Sequence, residues 1–313
     1  MESEILIRPL RKKDLELMIE LFNSSRVNKT SPDYIKNPKY NTEQVFNLKY
    51  NQKQFQSFPL GTGVFLSNKL VGMCLVTYYK LKNTSNEFIV GQLGDIVIKR
   101  QFQSKGLFNK LLDSIMNQAE ILKIDGLIVF PNSNATPAFK NNNKWIQIGN
   151  FCRYDFILKS LPILKILNKI GRYKLFYRFF KNLNQLNFKT IETKSLTVPL
   201  TKEYLDYKKY HDYKIFETQV SNIIWTISDG VNIVRSTVHT EALFKRELKE
   251  LKNYFSRRGV HKLSYIVQFE SQLSSYLSQW TQGKKTVPIF IFYINQELKK
   301  RSITLSGFER NHF

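Results

Sequence analysis

Hydrophobic positions in the first half of the chain switch repeatedly between periods of two and about 3.6. The switches predict a β-α-α-β-β-β-α-β-α-β order. Glu4 to Arg8 reads as an edge strand, and a helix follows from about Asp14 with Leu15, Met18, Ile19 and Phe22 on one face. Residues 31–60 are polar, with a second helix predicted near Thr42–Tyr50 and a loop at Pro59-Leu60-Gly61. Gly63–Phe65, Val71–Tyr79 and Phe88–Ile98 read as an antiparallel meander, with turns near Asn68 and Thr84. Leu107, Leu111, Ile115, Ala119 and Leu122 recur at helical spacing. Gly126–Phe130 is short and wholly apolar, as a buried parallel strand is. A loop and short helix (Pro131–Asn143) lead to a strand over Lys144–Leu158.

Residues 160–188 break the pattern. Leu161, Leu164, Ile166 and Leu167 form one apolar group, and Phe176, Phe179, Phe180, Leu183 and Leu186 form another, with Gly171 between them. No acid occurs between Asp155 and Glu192, whereas Lys165, Lys169, Arg172, Lys174, Arg178 and Lys181 do. The segment 159–189 therefore reads as a basic amphipathic helical linker. Packing between lobes, docking on anionic lipid and an RNA-binding stripe are all compatible with it.

Residues 190–313 resume the alternation. Strands are predicted at Ile191–Val198, around Ile215, and at Ile223–Ile227, Val231–Arg235, Leu263–Phe269 and Val287–Ile294. Helices are predicted at Lys202–His211, Glu241–Tyr254 and Ser271–Trp280. The strand-helix-strand-helix-strand order from Val231 to Ile294 mirrors that from Asp95 to Leu158, as a diverged internal duplication would. A first domain over 1–158, the linker, and a second lobe over 190–313 follow.

Composition narrows the class of partner. The 313 residues carry 48 Lys and Arg against 25 Asp and Glu, a formal net charge of +23 that attracts polyanions such as coenzyme phosphates, nucleic acid or an anionic membrane face. Abundant Lys alongside Asn and Ile would produce the same excess without a polyanionic partner. Cys74 and Cys152 sit in apolar runs and read as buried thiols of a reducing compartment. The opening Met1-Glu2-Ser3-Glu4 leads straight into a strand, and a cytoplasmic location is expected, with a peripheral place at the inner membrane face if the linker docks there. His211, His239, His261 and His312 lack metal-ligand spacing, so no metal site is expected.

The candidate chemistry lies where a strand turns into a helix at Gln103-Ser104-Lys105-Gly106-Leu107-Phe108. Helix-start amides lack intrahelical partners and the dipole adds partial positive charge, so a pyrophosphate is favoured there. Gly106 allows close backbone approach, and Lys105 adds a mobile cation. Asp95, beside Gly94 in an otherwise apolar strand, is a candidate general base; a strand-start or turn partner is its structural alternative.

This segment resembles the pyrophosphate loop of the GCN5-related N-acetyltransferase (GNAT) superfamily, Gln/Arg-x-x-Gly-x-Gly/Ala, with Gln103 and Gly106 matching and Phe108 in place of the last small residue. Phe130-Pro131-Asn132-Ser133-Asn134-Ala135 resembles the superfamily's second motif, Lys144 to Gly149 the strand after it, and Ile7-Arg8-Pro9-Leu10 with Asp14 its opening. The resemblance covers residues 3–158 and is strongest with two-lobed GNAT proteins found among bacterial surface-polysaccharide genes. It implies an α/β (α+β) fold, a GNAT-like mixed sheet flanked by helices, followed by a second, degenerate GNAT-like lobe.

The activity implied is acyl transfer from acetyl-CoA, or another acyl-CoA, to a small or lipid-linked amine such as an amino sugar. Ile96, Val97 and Ile98 would line the pantetheine arm, with an amide at Ile98 or its neighbour as oxyanion donor. Asn132 or Asn134 would touch the cofactor from the other strand. Phe139 stands at the usual position of a thiolate-protonating tyrosine, leaving Tyr154 or a water for that role. The turn Ser236-Thr237-Val238-His239-Thr240 holds no glycine, Lys or Arg, so no CoA site is expected in the second lobe. The alternatives are a FemAB-like aminoacyl transferase using charged tRNA, and a non-catalytic CoA-binding scaffold.

Overall fold

The computed structural model describes residues 5–26, 42–50, 55–103, 105–172, 174–177, 195–201, 204–205, 208, 213–228, 230–307 and 309. Its centre is one eleven-stranded sheet in the order β1-β2-β3-β4-β5-β11-β6-β10-β9-β8-β7. The first half supplies β1 (Ile5–Leu10), β2 (Gly61–Leu66), β3 (Lys69–Lys82), β4 (Glu87–Ile98), β5 (Gly126–Val129) and β6 (Ile146–Ile157). The second half supplies β7 (Lys214–Glu217), β8 (Asn222–Ser228), β9 (Gly230–Ser236), β10 (Lys262–Gln268) and β11 (Lys284–Tyr293). β1 is an edge strand, as expected for this segment.

The order is pseudo-symmetric about the β11–β6 pair. β4 runs parallel to β5 on one side, and β9 parallel to β10 on the other. Each half lends its last strand across the centre: β11 pairs antiparallel with β5, and β6 pairs antiparallel with β10. β6 and β11 also pair with each other, with irregularities near Pro288, whose missing N–H cannot join the ladder. The sheet is thus continuous through the 159–189 linker boundary, and the mirrored element order becomes a mirrored sheet.

Helices cover both faces. α1 (Leu15–Arg26) and α2 (Thr42–Tyr50) bury Met18, Leu21, Phe22, Phe46 and Tyr50 against β2 and β3. α3 (Leu107–Ile121) buries Leu107, Leu111, Leu112, Ile115, Met116 and Ala119, the predicted stripe, over Val64, Val76 and Leu127. α4 (Thr136–Lys140) leads into β6. α5 (Ile163–Lys169) and α6 (Lys174–Tyr177) begin the linker, whose residues 178–188 lie outside the described chain. α7 (Glu241–Ser256) and α8 (Gln272–Ser278) cover the second half, and α9 (Gln296–Lys299) follows β11.

Two predicted elements are described only in part. Of the strand expected at 191–198, residues 191–194 lie outside the description, and Leu196 and Thr197 make only isolated bridges. Most of the helix expected at 202–211 also lies outside it, and its described residues 204–205 are helical, the Leu205 amide donating to the Thr201 carbonyl at 2.9 Å. Both cysteines are buried and free, and burial pushes the Cys74 thiol upward, assisted by the nearby Asp95 charge.

Candidate active site

The site is made by the divergence of β4 from β5. Their parallel pairing stops at Leu93 with Val129. β5 ends there because Pro131, two residues on, has no amide N–H to donate. On the other edge of β4, the register against β3 slips between Leu75–Gly94 and Met73–Val97, one extra residue in β4. Asp95 lies in this bulge with a φ of 44°, the left-handed region that Asp and Asn tolerate best among residues with a Cβ. The bulge bends β4 and re-aims its side chains, and Gly94 to Ile98 run on without a β5 partner.

A cavity of about 920 Å³ fills the resulting gap. Asp95, Ile96, Val97, Ile98, Gln103, Gly106, Leu107, Phe108, Asn132, Asn134 and Phe139 all line it, so residues chosen from three separate motifs converge on one wall. Gly106 has a φ of 71° and forms the N-cap of α3, and a Cβ built there would meet nothing within 4 Å. The turn is therefore an open cradle of helix-start amides, the geometry a pyrophosphate fits. Gln103 donates to the Ile98 carbonyl at 3.0 Å, tying the cradle to the end of β4. Lys105 is exposed, 5.6 Å from the Phe102 ring, and Ser104 lies outside the described residues. Asn132 accepts from the Ala135 amide at 3.0 Å and so shapes the loop it lines.

The charge in the cavity wall comes from Lys49 and Asp95, with Tyr50 behind them. Lys49 Nζ lies 2.7 Å from Asp95 Oδ2, with the two side chains 1% and 6% exposed, and the Tyr50 hydroxyl donates to the same carboxylate oxygen. Lys49 and Asp95 both line the cavity. Sequence reasoning selected Asp95 and missed its partners. Their signal is a lysine on the apolar stripe of α2, at the i+3 position from Phe46, beside Tyr50. Gln92, also buried and lining the cavity, has no donor at Oε1 among the described residues. A buried acceptor of this kind suits an incoming N–H or O–H.

No family model and no curated protein matches the chain. Solved structures do. A protein of Enterococcus faecalis described as a probable N-acyltransferase aligns over 95% of this chain and 74% of its own, with a TM-score of 0.65 at 12% identity. A GCN5-related N-acetyltransferase from Kribbella flavida aligns over 94% and 72%, with a TM-score of 0.61 at 8% identity. N-myristoyltransferase of Saccharomyces cerevisiae, solved with bound myristoyl-CoA, aligns over 93% and 83%, with a TM-score of 0.52 at 12% identity. This chain has the GNAT fold. The likeness spans both halves, so the second half belongs to the GNAT-like sheet and is not an unrelated appendage.

Within the GNAT frame, Phe139 is fully buried, edge-on to Phe108 with ring centres 5.8 Å apart and to Trp145 at 5.1 Å. Phe108, the departure from the loop pattern, thus packs on Phe139 while remaining in the cavity wall. Neither ring can donate a proton.

Tyr154 corrects an expectation. Side chains at even positions of β6, namely Cys152, Tyr154 and Phe156, point into the core formed with β10, α7 and α8, and not into the cavity. The Tyr154 hydroxyl is 2.7 Å from Ser274 Oγ, and Gly283 packs over its ring. Tyr154 therefore cannot protonate a thiolate in the β4–β5 gap. Tyr154→Phe is expected to lower stability by about 1 to 2 kcal/mol in denaturant titration, through the orphaned Ser274, and to leave any turnover within about twofold.

The second half repeats the gap. β9 and β10 pair only to Ile233 with Tyr265, and a cavity of about 850 Å³ opens beyond, floored by Arg235 and Glu309 at 3.0 Å. Its turn differs from the first: Thr240 caps α7, accepting from the Leu243 amide, where Gly106 leaves the α3 amides open.

Lys208 lies between the two clefts in electrostatic terms. It is buried, and desolvation together with the Lys49 charge lowers its pKa to about 7 despite Glu309. The folded state then binds fewer protons than the unfolded chain between pH 7 and 10.5, so this group makes stability rise with pH across that window. Lys208→Met is expected to flatten the rise in urea midpoints measured from pH 7 to 10. Among the described residues no three His, Cys, Asp or Glu side chains form a metal-binding group.

Proposed function

We propose that the chain is an acyl-CoA-dependent N-acyltransferase working in the β4–β5 cleft. The observation that carries the reading is the buried Lys49–Asp95 pair in the wall of the same cavity that holds the open Gly106 turn. Acyl-CoA, when bound, supplies an activated thioester whose C–S bond breaks as an amine forms the new C–N bond. The helix-start amides and the net positive field favour its phosphates.

The remaining work falls to side chains of the chain itself. The amide of Ile98 or its neighbour, on the stretch of β4 that has no β5 partner, supports charge on the thioester oxygen. Gln92 Oε1 accepts from an N–H of the donor or the amine. Asp95 takes the proton that the amine must lose, and Lys49 gives one to the departing sulfur. Proton exchange across their 2.7 Å contact then restores the ion pair, so no net proton is stored in the protein. The Tyr50 hydroxyl holds the carboxylate in position during both transfers. This arrangement supplies the proton donor that Phe139 and Tyr154 cannot.

The acceptor is a primary amine, and an amino sugar of a surface glycan is the first class to test, on the sequence resemblance. Thiol release from acetyl-CoA, followed with a thiol-reactive dye across amino sugars and polyamines, is expected to depend on one acceptor class. A flat trace on every amine together with tight CoA binding would favour the non-catalytic reading instead.

A further inference from the structure

Large apolar side chains left in water are not spread evenly over this protein. Among the described residues eleven are exposed, and five of them, Leu161, Ile163, Ile166, Ile170 and Leu175, fall within fifteen consecutive positions. The linker helix α5 explains how. Leu164 is buried and Leu167 half-buried against the core of the second half, which anchors one side of the helix. The Leu164 amide donates to the Gly259 carbonyl, and Gly259 lets Ile163 pack directly on its backbone. Ile166 and Ile170, one turn apart, point outward at 56% and 59% exposure, and Leu161 just ahead of the helix is 76% exposed. A helix anchored on one apolar side and apolar again on its free side has a second surface to satisfy.

The charges around that surface are of one sign. Lys159, Lys165, Lys169 and Arg172 are exposed beside it, and no acid lies between Asp155 and Glu192. We infer that this face docks on an anionic lipid surface, the isoleucines and leucines entering the headgroup region and the lysines meeting its negative charge. A second copy of the chain would oppose like charge to like charge across such a patch. Single-stranded RNA is matched by exposed aromatic platforms, whereas among the described residues the exposed members of this face are aliphatic and Phe176 is buried.

The sheet places this face where it matters. β6 is antiparallel to β11, which is antiparallel to β5, so β6 runs in the direction of β4 and β5. The chain leaves the sheet into α5 from the end at which the β4–β5 cleft opens. Docking would turn that end toward the lipid, and an acceptor carried on a lipid would then come within reach. The docking itself does not depend on the acyltransferase reading, which the thiol-release assay tests separately.

Flotation of the full chain with vesicles of phosphatidylglycerol and phosphatidylcholine tests the inference. Binding is expected at 30% phosphatidylglycerol, to fall at least tenfold on pure phosphatidylcholine, and to weaken with added salt. Ile166→Asp/Ile170→Asp is expected to lose about tenfold in binding with unchanged thermal unfolding, and Lys165→Glu/Lys169→Glu a similar factor at low salt. Equal flotation of wild type and both variants would overturn the inference. So would absence of binding to anionic vesicles, including the case in which the same face binds RNA or self-associates in sedimentation.

Discussion

Asp95→Asn is expected to reduce turnover by about a hundred- to ten-thousandfold while acetyl-CoA affinity stays within about twofold. The substitution is chosen for what it preserves. Asn tolerates the left-handed backbone of the bulge as Asp does, and its amide oxygen can still accept from Tyr50 and Lys49. The negative charge and the capacity to take a proton disappear together, and the buried Lys49 ammonium keeps a neutral acceptor in place of its counter-ion. Removing the other partner is a poorer experiment, because Lys49→Met takes the cation away from a buried carboxylate and costs roughly 3 to 5 kcal/mol of stability. Unchanged turnover in Asp95→Asn would mean that the bulge carboxylate serves the fold alone.

Gly106→Glu is expected to abolish acetyl-CoA binding, a loss of at least a hundredfold by calorimetry, while the protein still folds. Its Cβ meets open space, so the folding cost is the left-handed backbone, about 1 to 2 kcal/mol for a residue with a side chain. The binding cost is larger because the carboxylate enters the cradle of amides that the pyrophosphate needs. Gly106→Ala separates the two contributions, since it carries the backbone strain without the charge. A Gly106→Glu protein that binds acetyl-CoA as wild type does would move the phosphates elsewhere.

The order of strands and helices was legible because each long element has a clean period. The α3 stripe and the meander β2–β4 follow directly from it. The cradle was legible because the chemistry is local: strand, turn, one glycine, helix. The exchange of β6 and β11 was not, since alternation says which face a residue occupies and nothing about which strand lies beside it. Tyr154 was misassigned for the same reason, its face being set by β10 as neighbour. Lys49 was overlooked because residues 31–60 read as one polar stretch. Yet a lysine at i+3 from Phe46 on a helix whose buried side includes Phe46 and Tyr50 is a local conflict, and such conflicts mark sites. Its partner lies 46 residues away in a bulge that no sequence period announces.

A crystal structure of the full chain with CoA tests the central claim most directly. The expected result has the pyrophosphate oxygens on the amides that follow Gly106 and the sulfur in the gap between β4 and β5, on the side of Lys49 and Asp95. CoA seated instead in the β9–β10 cleft, or bound with its sulfur away from the Lys49–Asp95 pair, would contradict it.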